Sequence, residues 1–223
     1  MRSFEYQVAD EATRIPAITC RPTLRPGAKG LLVGARHSLE RTNQLLEVMP
    51  YDALTIDTQT VYANNRSLDR GLVGQLHQYK DGVVKVVLSE ITFREIRKML
   101  IDSAKSSRDD LSKAIKAGAL NNQFTPDQLQ ALKDVDSALA EPHEYADEQL
   151  RLFANKAGAE IVPASIVEMG PLLGAYFGRK PPFSAAGKKN EFPDAIALLS
   201  LERWAVENNK RILAVSNDQD WKS

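Results

Sequence analysis

Four acidic side chains are spaced so that each one follows a predicted strand or opens a predicted helix. These residues are Asp57, Glu95, Asp194 and Asp218. In a parallel α/β layer, the loops at the carboxyl ends of the strands gather at one crevice, where ligands bind. Carboxylates brought together there repel one another unless a cation neutralises them. Oxygen ligands suit Mg²⁺ or Mn²⁺, and the sequence has no histidine or cysteine cluster to select a softer metal.

The chemistry predicted for such a site is hydrolysis of a phosphodiester. A bound Mg²⁺ or Mn²⁺ lowers the pKa of a water molecule, positions it and stabilises an in-line displacement at phosphorus. The four acids are therefore the predicted catalytic and metal-binding residues. Three of these acids also have a simpler interpretation. Asp57 can cap a helix, Glu95 can be a solvated helix residue, and Asp194 can serve only a helix N-terminus.

Two further sets of polar residues lie close to these acids in the sequence. The auxiliary set, which could orient a ligand or support the site, consists of Thr58, Glu191, Ser216 and Asp220. The basic set, which could neutralise phosphates of a nucleic acid, consists of Arg94, Lys98, Lys188 and Lys189. The alternative for the basic set is a solvated helix face.

The elements that would position these residues alternate between strands and helices. Apolar runs predict strands at 53–57, 83–88, 159–162 and 211–215. A helix is predicted over 68–79, with its inward residues at Leu72, Val73 and Leu76. Another apolar helix begins near Asp194. This alternation predicts a three-layer α/β/α fold with a mainly parallel central sheet.

A helical insertion at about 97–157 interrupts the alternation and is predicted to project beside the sheet. The polar run 106–110 predicts a break within the insertion. The segment 125–128 predicts a helix start, and Gly158 predicts a helix stop. We expect a main domain over 51–223, preceded by an N-terminal extension over 1–50.

Composition predicts an ordinary soluble globular protein, with 43% hydrophobic and 26% charged residues among 223. Lys and Arg together number 29, as do Asp and Glu, so nucleic-acid binding would need local basic patches. Cys20 is the only cysteine, which excludes an internal disulfide and fits a reducing compartment. The first residues lack a signal-peptide core, and no apolar run approaches the ~20 residues of a membrane span. The expected location is the cytoplasm.

Four short motifs resemble those of the PIN domain, a metal-dependent nuclease fold. The first, an Asp followed by Thr at a strand end, matches IDT at 56–58. The second, of the Ile-Thr-x-x-Glu type, matches ITFREI at 91–96. The third, an Asp opening an apolar helix, matches PDAI at 193–196, and the fourth matches SNDQDW at 216–221. The segments KPPF at 180–183 and EFPDAIALLS at 191–200 resemble a larger bacterial PIN-like branch.

This resemblance implies a metal-dependent endonuclease, more specifically a ribonuclease, that uses Mg²⁺ or Mn²⁺ and binds single-stranded RNA. It also implies an antitoxin or another regulatory protein as a candidate partner, and a homodimer as a candidate assembly. The resemblance assigns metal binding to the same four acids. The preference for RNA comes from the family alone, because the sequence contains no RNA-recognition motif or aromatic stacking cluster.

Two alternatives follow from the same residues. A catalytically inactive PIN-like scaffold would bind RNA or a protein partner without hydrolysing anything. A haloacid-dehalogenase-like phosphatase would use Asp57 as a covalent nucleophile. That class requires a second Asp two residues later, where this sequence has Gln59, so the phosphatase ranks below the nuclease.

Overall fold

The chain folds around a parallel sheet, and the first strand along the chain is an interior strand of that sheet. The structure is a computed structural model that describes residues 51–180, 183 and 191–216. The strands in the described part are β1 (Ala53–Ile56), β2 (Lys85–Ser89), β3 (Glu160–Val162) and β4 (Ile212–Val215). They pair in the order β3-β2-β1-β4, and every pairing is parallel. The predicted parallel sheet is confirmed.

Helices occupy most of the chain between these strands. They are α1 (Thr58–Ala63), α2 (Gly71–Gly74), α3 (Glu90–Leu120), α4 (Pro126–Ala138), α5 (Pro142–Ala157), α6 (Met169–Gly178) and α7 (Phe192–Asn208). Short 3₁₀ helices cover Gln75–Tyr79 and Ala164–Ile166. No helix in the described ranges is long and apolar enough to cross a membrane.

The two faces of the sheet are covered by different helices, because successive side chains of a strand point to opposite faces. On one face, Leu54 and Ile56 of β1 belong to a buried cluster that includes residues of α1, α3 and α5. On the other face, Ala53 belongs to a second cluster, to which α7 contributes Leu198 and Leu201. The result is the predicted three-layer α/β/α fold.

The predicted break at 106–110 is wrong, since α3 runs without interruption from Glu90 to Leu120. The run contains no glycine or proline, so nothing in it forbids a helix. Its polar side chains lie on the outer surface of α3, where Arg108 pairs with Glu141 at 3.0 Å. The polar residues at 106–110 therefore form a solvated face of α3 and do not interrupt it.

The predicted insertion is only partly separate from the sheet. α4 contributes no buried residue, whereas α5 buries Leu150 and Phe153 in the cluster on the β1 face. The prediction that the whole segment projects from the sheet is therefore wrong for α5. The predicted start of α4 is confirmed by a reciprocal cap between Thr125 and Gln128. The predicted stop is confirmed by Gly158, which adopts a left-handed conformation after α5.

The predicted helix over 68–79 is shorter and less regular than expected. Gly71, with φ of +57°, separates it from the preceding loop, and only α2 and the 3₁₀ helix form. Val73 and Leu76 are buried as predicted, but Leu72 is exposed. The left-handed conformation of Gly71 therefore prevents the helix from starting at residue 68.

Removal of the Leu150 side chain from the core should be strongly destabilising. Because Leu150 is buried against the β1 face, Leu150→Ala should lower the free energy of unfolding by about 2–5 kcal/mol. The matched substitution Leu120→Ala, at an exposed site, should change it by less than about 0.5 kcal/mol. Urea unfolding measures both values, and equal losses would contradict the assignment of α5 to the core.

A second prediction concerns Glu90, at the start of α3. Its carboxylate accepts the N–H of Ala164 at 2.9 Å and pairs with Arg94. The pKa of Glu90 is held below its ordinary value, mainly because its carboxylate accepts the N–H of Ala164 and also because Arg94 lies beside it. A lowered pKa in the folded state stabilises the protein above the unfolded-state pKa, and this stabilisation is lost as pH falls through the folded-state pKa.

Glu90→Gln should therefore lower the melting temperature at neutral pH, and the native chain should converge on the variant as the solution is acidified. Thermal melts between about pH 7 and pH 3 test this, because the neutral Gln mimics the protonated acid. Asp109→Asn, at an exposed site in the middle of α3, is the control and should show no such convergence. A constant difference between native and Glu90→Gln would contradict the charge-dependent contact.

Candidate active site

An acidic cavity lies at the carboxyl ends of β1 and β2, with a volume of about 360 Å³. The described residues that line it supply four carboxylates and one ammonium group, together with neutral side chains. The charged residues are Asp57, Glu95, Asp102, Asp194 and Lys98. Three of the four predicted acids thus share one cavity, as expected for loops at one edge of a parallel sheet.

Asp57 is placed by β1, α1 and β4 together. It follows the last residue of β1 and caps α1, since one carboxylate oxygen accepts the N–H and the hydroxyl of Thr60, both at 2.6 Å. The other oxygen accepts the hydroxyl of Ser216, which follows β4. The pairing of Ile56 with Val215 brings these two strand ends side by side. Capping and lining the cavity are therefore both roles of Asp57.

Asp57 is also the most enclosed of the cavity acids, with only 3% of its surface exposed. Its three hydrogen-bond donors are all neutral groups, and it forms no ion pair within the described residues. Neutral donors orient a carboxylate but do not cancel a negative charge, as a nearby cation would.

Glu95 is placed by the start of α3 immediately after β2. Ser89 caps this helix by accepting the N–H of Thr92 at 3.0 Å, so the helix begins where the strand ends. Glu95 lies in the second turn, and the hydroxyl of Thr58 donates to its Oε2 at 2.6 Å. The auxiliary residue Thr58 thus links the start of α1 to the acid of α3.

Asp194 reaches the cavity from the opposite layer, in the first turn of α7. Pro193 occupies an early position of this helix, where its missing N–H has no intrahelical role. Ala195 is fully buried and fixes the turn against the protein. Glu191, just before α7, is buried but does not line the acidic cavity.

Of the predicted basic residues, Lys98 lines the cavity and Arg94 does not. Arg94 lies one turn before Lys98 and pairs with Glu90 on the exposed surface. Four predicted site residues lie outside the described part of the chain. They are Asp218, Asp220, Lys188 and Lys189.

Sequence reasoning gave no site role to several residues that the structure places at the cavity, and three of them are important here. Asp102 lines the cavity from α3, Tyr62 lines it from α1, and Thr60 holds Asp57. The signal for Asp102 was present, because residues seven apart lie on one helix face, and Asp102 is seven residues after Glu95. The signal for Thr60 was its spacing of three from a predicted capping Asp.

The side chains that line the cavity are of the type that binds a hard divalent cation. All four acids offer oxygen ligands, which Mg²⁺ and Mn²⁺ prefer. Within residues 51–180, 183 and 191–216, however, no three histidine, cysteine or carboxylate side chains are grouped so that they could hold a metal ion by themselves. The fourth predicted acid, Asp218, lies beyond these ranges.

A comparison with protein families places the chain. A family model described as "PIN domain" matches residues 54–221, which is most of the chain. A search of curated proteins and a search of solved structures gave no match. PIN domains are typically nucleases that bind nucleic acids and use divalent metals. The parallel sheet, the acidic cavity at its carboxyl edge and the family match agree, and the chain belongs to the PIN-domain family.

Proposed function

We propose that the protein is a metal-dependent endonuclease that hydrolyses single-stranded RNA. The observation that carries the proposal is the buried carboxylate of Asp57, which forms no ion pair within the described residues and shares its cavity with three more acids. Among the described residues that line this cavity, Lys98 is the single cation. Such a cavity retains an excess of negative charge, and a bound cation would neutralise it.

The residues that would hold Mg²⁺ or Mn²⁺ are Asp57, Glu95 and Asp194, which share one cavity with Asp102, together with Asp218 from the fourth sequence motif. When bound, a divalent cation would lower the pKa of a water and neutralise charge developing on a phosphodiester.

The neighbouring hydroxyl groups position these acids. Thr60 and Ser216 fix the carboxylate of Asp57, and Thr58 fixes that of Glu95. Such contacts hold a ligand carboxylate in one orientation. Lys98, exposed at the cavity, is suited to bind a phosphate oxygen of the substrate.

RNA is proposed as the substrate because of the family, since no described residue discriminates a ribose 2′-hydroxyl group. The cytoplasmic location, the antitoxin partner and the homodimer stay predictions from the sequence. A non-catalytic scaffold is the principal alternative. The two are distinguished by whether the four acids bind a metal ion.

Substitution of the cavity acids should abolish cleavage. We expect Asp57→Asn and Glu95→Gln each to lower cleavage of labelled single-stranded RNA in Mg²⁺ or Mn²⁺ by at least about 100-fold. Asn is chosen because it also caps a helix and can accept the N–H of Thr60. Glu144→Gln, at an exposed site on α5, is the control and should cleave like the native chain.

Metal binding gives a second measurement that does not depend on activity. Mn²⁺ at about 100 times its dissociation constant should stabilise the native chain by about 2.7 kcal/mol. Both variants should lose most of this stabilisation, and the control should keep it. If the folded native chain is not stabilised by Mn²⁺ and cleaves neither RNA nor DNA, the nuclease proposal is contradicted and the non-catalytic scaffold is favoured.

Thr58 provides a more selective test of the geometry. Thr58→Val removes the hydroxyl that donates to Glu95 and keeps a similar shape, so activity or Mn²⁺ affinity should fall about 10–100-fold. Thr58→Ser keeps the hydroxyl and should retain most of both. If the Val and Ser variants behave alike, the hydrogen bond to Glu95 does not position that acid.

A further inference from the structure

A second cavity, with a volume of about 620 Å³, lies beside the acidic one. It is formed by the loop 64–71, here called the arginine loop, and by residues of α3 and α5. Its charged residues are Arg66, Arg70 and Asp69, so its charge is opposite in sign to that of the acidic cavity. We call it the basic cavity.

The arginine loop is held in one conformation by hydrogen bonds from the Asn64 side chain to its backbone. The side-chain amide of Asn64 donates to the carbonyl oxygens of Ser67 at 2.7 Å and Arg70 at 2.8 Å. Arg66 has a φ of 57°, which a long side chain rarely adopts. At Gly71, whose φ is also 57°, an added Cβ would lie 2.1 Å from the Asn64 side-chain oxygen. Strain of this kind persists where the surrounding structure enforces it, and it clusters at functional sites.

The two cavities are adjacent along the same elements. Tyr62 lines the acidic cavity, and the guanidinium of Arg66 lies over its ring, 5.4 Å from the ring centroid. On α3, Asp102 lines the acidic cavity, whereas the next residue, Ser103, lines the basic one. A flexible polymer that occupies the first cavity can therefore continue into the second.

The charges of the arginine loop are available to a ligand. Arg66 forms no ion pair within the described residues, and its contact with Tyr62 is a cation–π interaction. Arg70 approaches Asp69 only at 3.9 Å, and both side chains are largely exposed. Exposed ion pairs of this kind contribute little to stability, so Arg70 can exchange Asp69 for a ligand at small cost. Tyr145, also at this cavity, presents a partly exposed ring.

Two arginines next to an exposed aromatic ring form the chemistry that binds single-stranded nucleic acid. Guanidinium groups pair with phosphates, and aromatic rings stack on bases without requiring a sequence. We propose that the basic cavity binds the nucleotides that flank the phosphodiester held at the acidic cavity, with Arg66 and Arg70 on phosphates and Tyr145 against a base. The choice of nucleic acid as the ligand rests on the proposed nuclease function.

The test measures binding of labelled single-stranded RNA and DNA, about 12 nucleotides long, by fluorescence anisotropy in EDTA, which separates binding from cleavage. The double variant Arg66→Asn/Arg70→Gln removes both charges, and Asn tolerates the positive φ of position 66. The matched control Lys116→Gln/Lys133→Gln removes two exposed charges that line neither cavity. Thermal melts establish that both proteins are folded.

Each lost phosphate contact should reduce the dependence of log K on log salt by about 0.7 for a single strand, so the double variant should lose about 1.4. Its affinity at about 50 mM salt should fall at least about tenfold. The control should keep the native slope, and Arg66→Lys, which keeps the charge, should recover most of the affinity relative to Arg66→Asn.

The outcomes separate this inference from the nuclease proposal. Equal slopes for the native chain and the double variant, or no binding of either strand by the native chain, would overturn it. If the native chain cleaves RNA and the double variant has an unchanged KM, the basic cavity is not a binding site although the nuclease stands. If no metal supports cleavage but the slope falls as expected, the nuclease fails and the binding surface stands.

Discussion

The parallel pairing of β1 with both β2 and β4 is the constraint on which the site depends. Because β1 is an interior strand, its carboxyl end lies between the ends of its two neighbours. Asp57 therefore lies beside Ser216 at the end of β4 and close to the start of α3 after β2. A shift of one residue in this register would move Leu54 and Ile56 to the face covered by α7 and move Asp57 away from its partners.

The long helix α3 couples the hydrophobic core to the chemistry. Ile96, Met99 and Leu100 pack against the sheet, while Glu95, Lys98 and Asp102 line the acidic cavity. Side chains on adjacent faces of one helix cannot move independently, so burial of the apolar face also fixes the positions of the charged residues. Core packing thereby provides the rigid support that a site with closely spaced acids requires.

The acidic cavity shows a compromise between stability and function. Asp57 is only 3% exposed and forms no ion pair with any residue that the structure describes. Burial of such a carboxylate is costly, and hydrogen bonds from Thr60 and Ser216 offset only part of the cost. A core optimised for stability alone would contain a neutral side chain here. In the neighbouring arginine loop, the left-handed conformation of Arg66 is a similar local cost, imposed by the hydrogen bonds of Asn64.

The sequence by itself determined what depends on neighbours along the chain. The apolar runs predicted the strands, Thr125 and Gly158 predicted helix ends, and the acids after β1 and at the starts of α3 and α7 were recognised as a set. Only the tertiary structure decided which side chains converge. It brought Asp102 and Tyr62 into the acidic cavity, left Arg94 outside, and placed Arg66 over Tyr62. The physical reason is that these positions depend on sheet register, on the uninterrupted length of α3 and on packing between layers, which involve residues distant in the sequence.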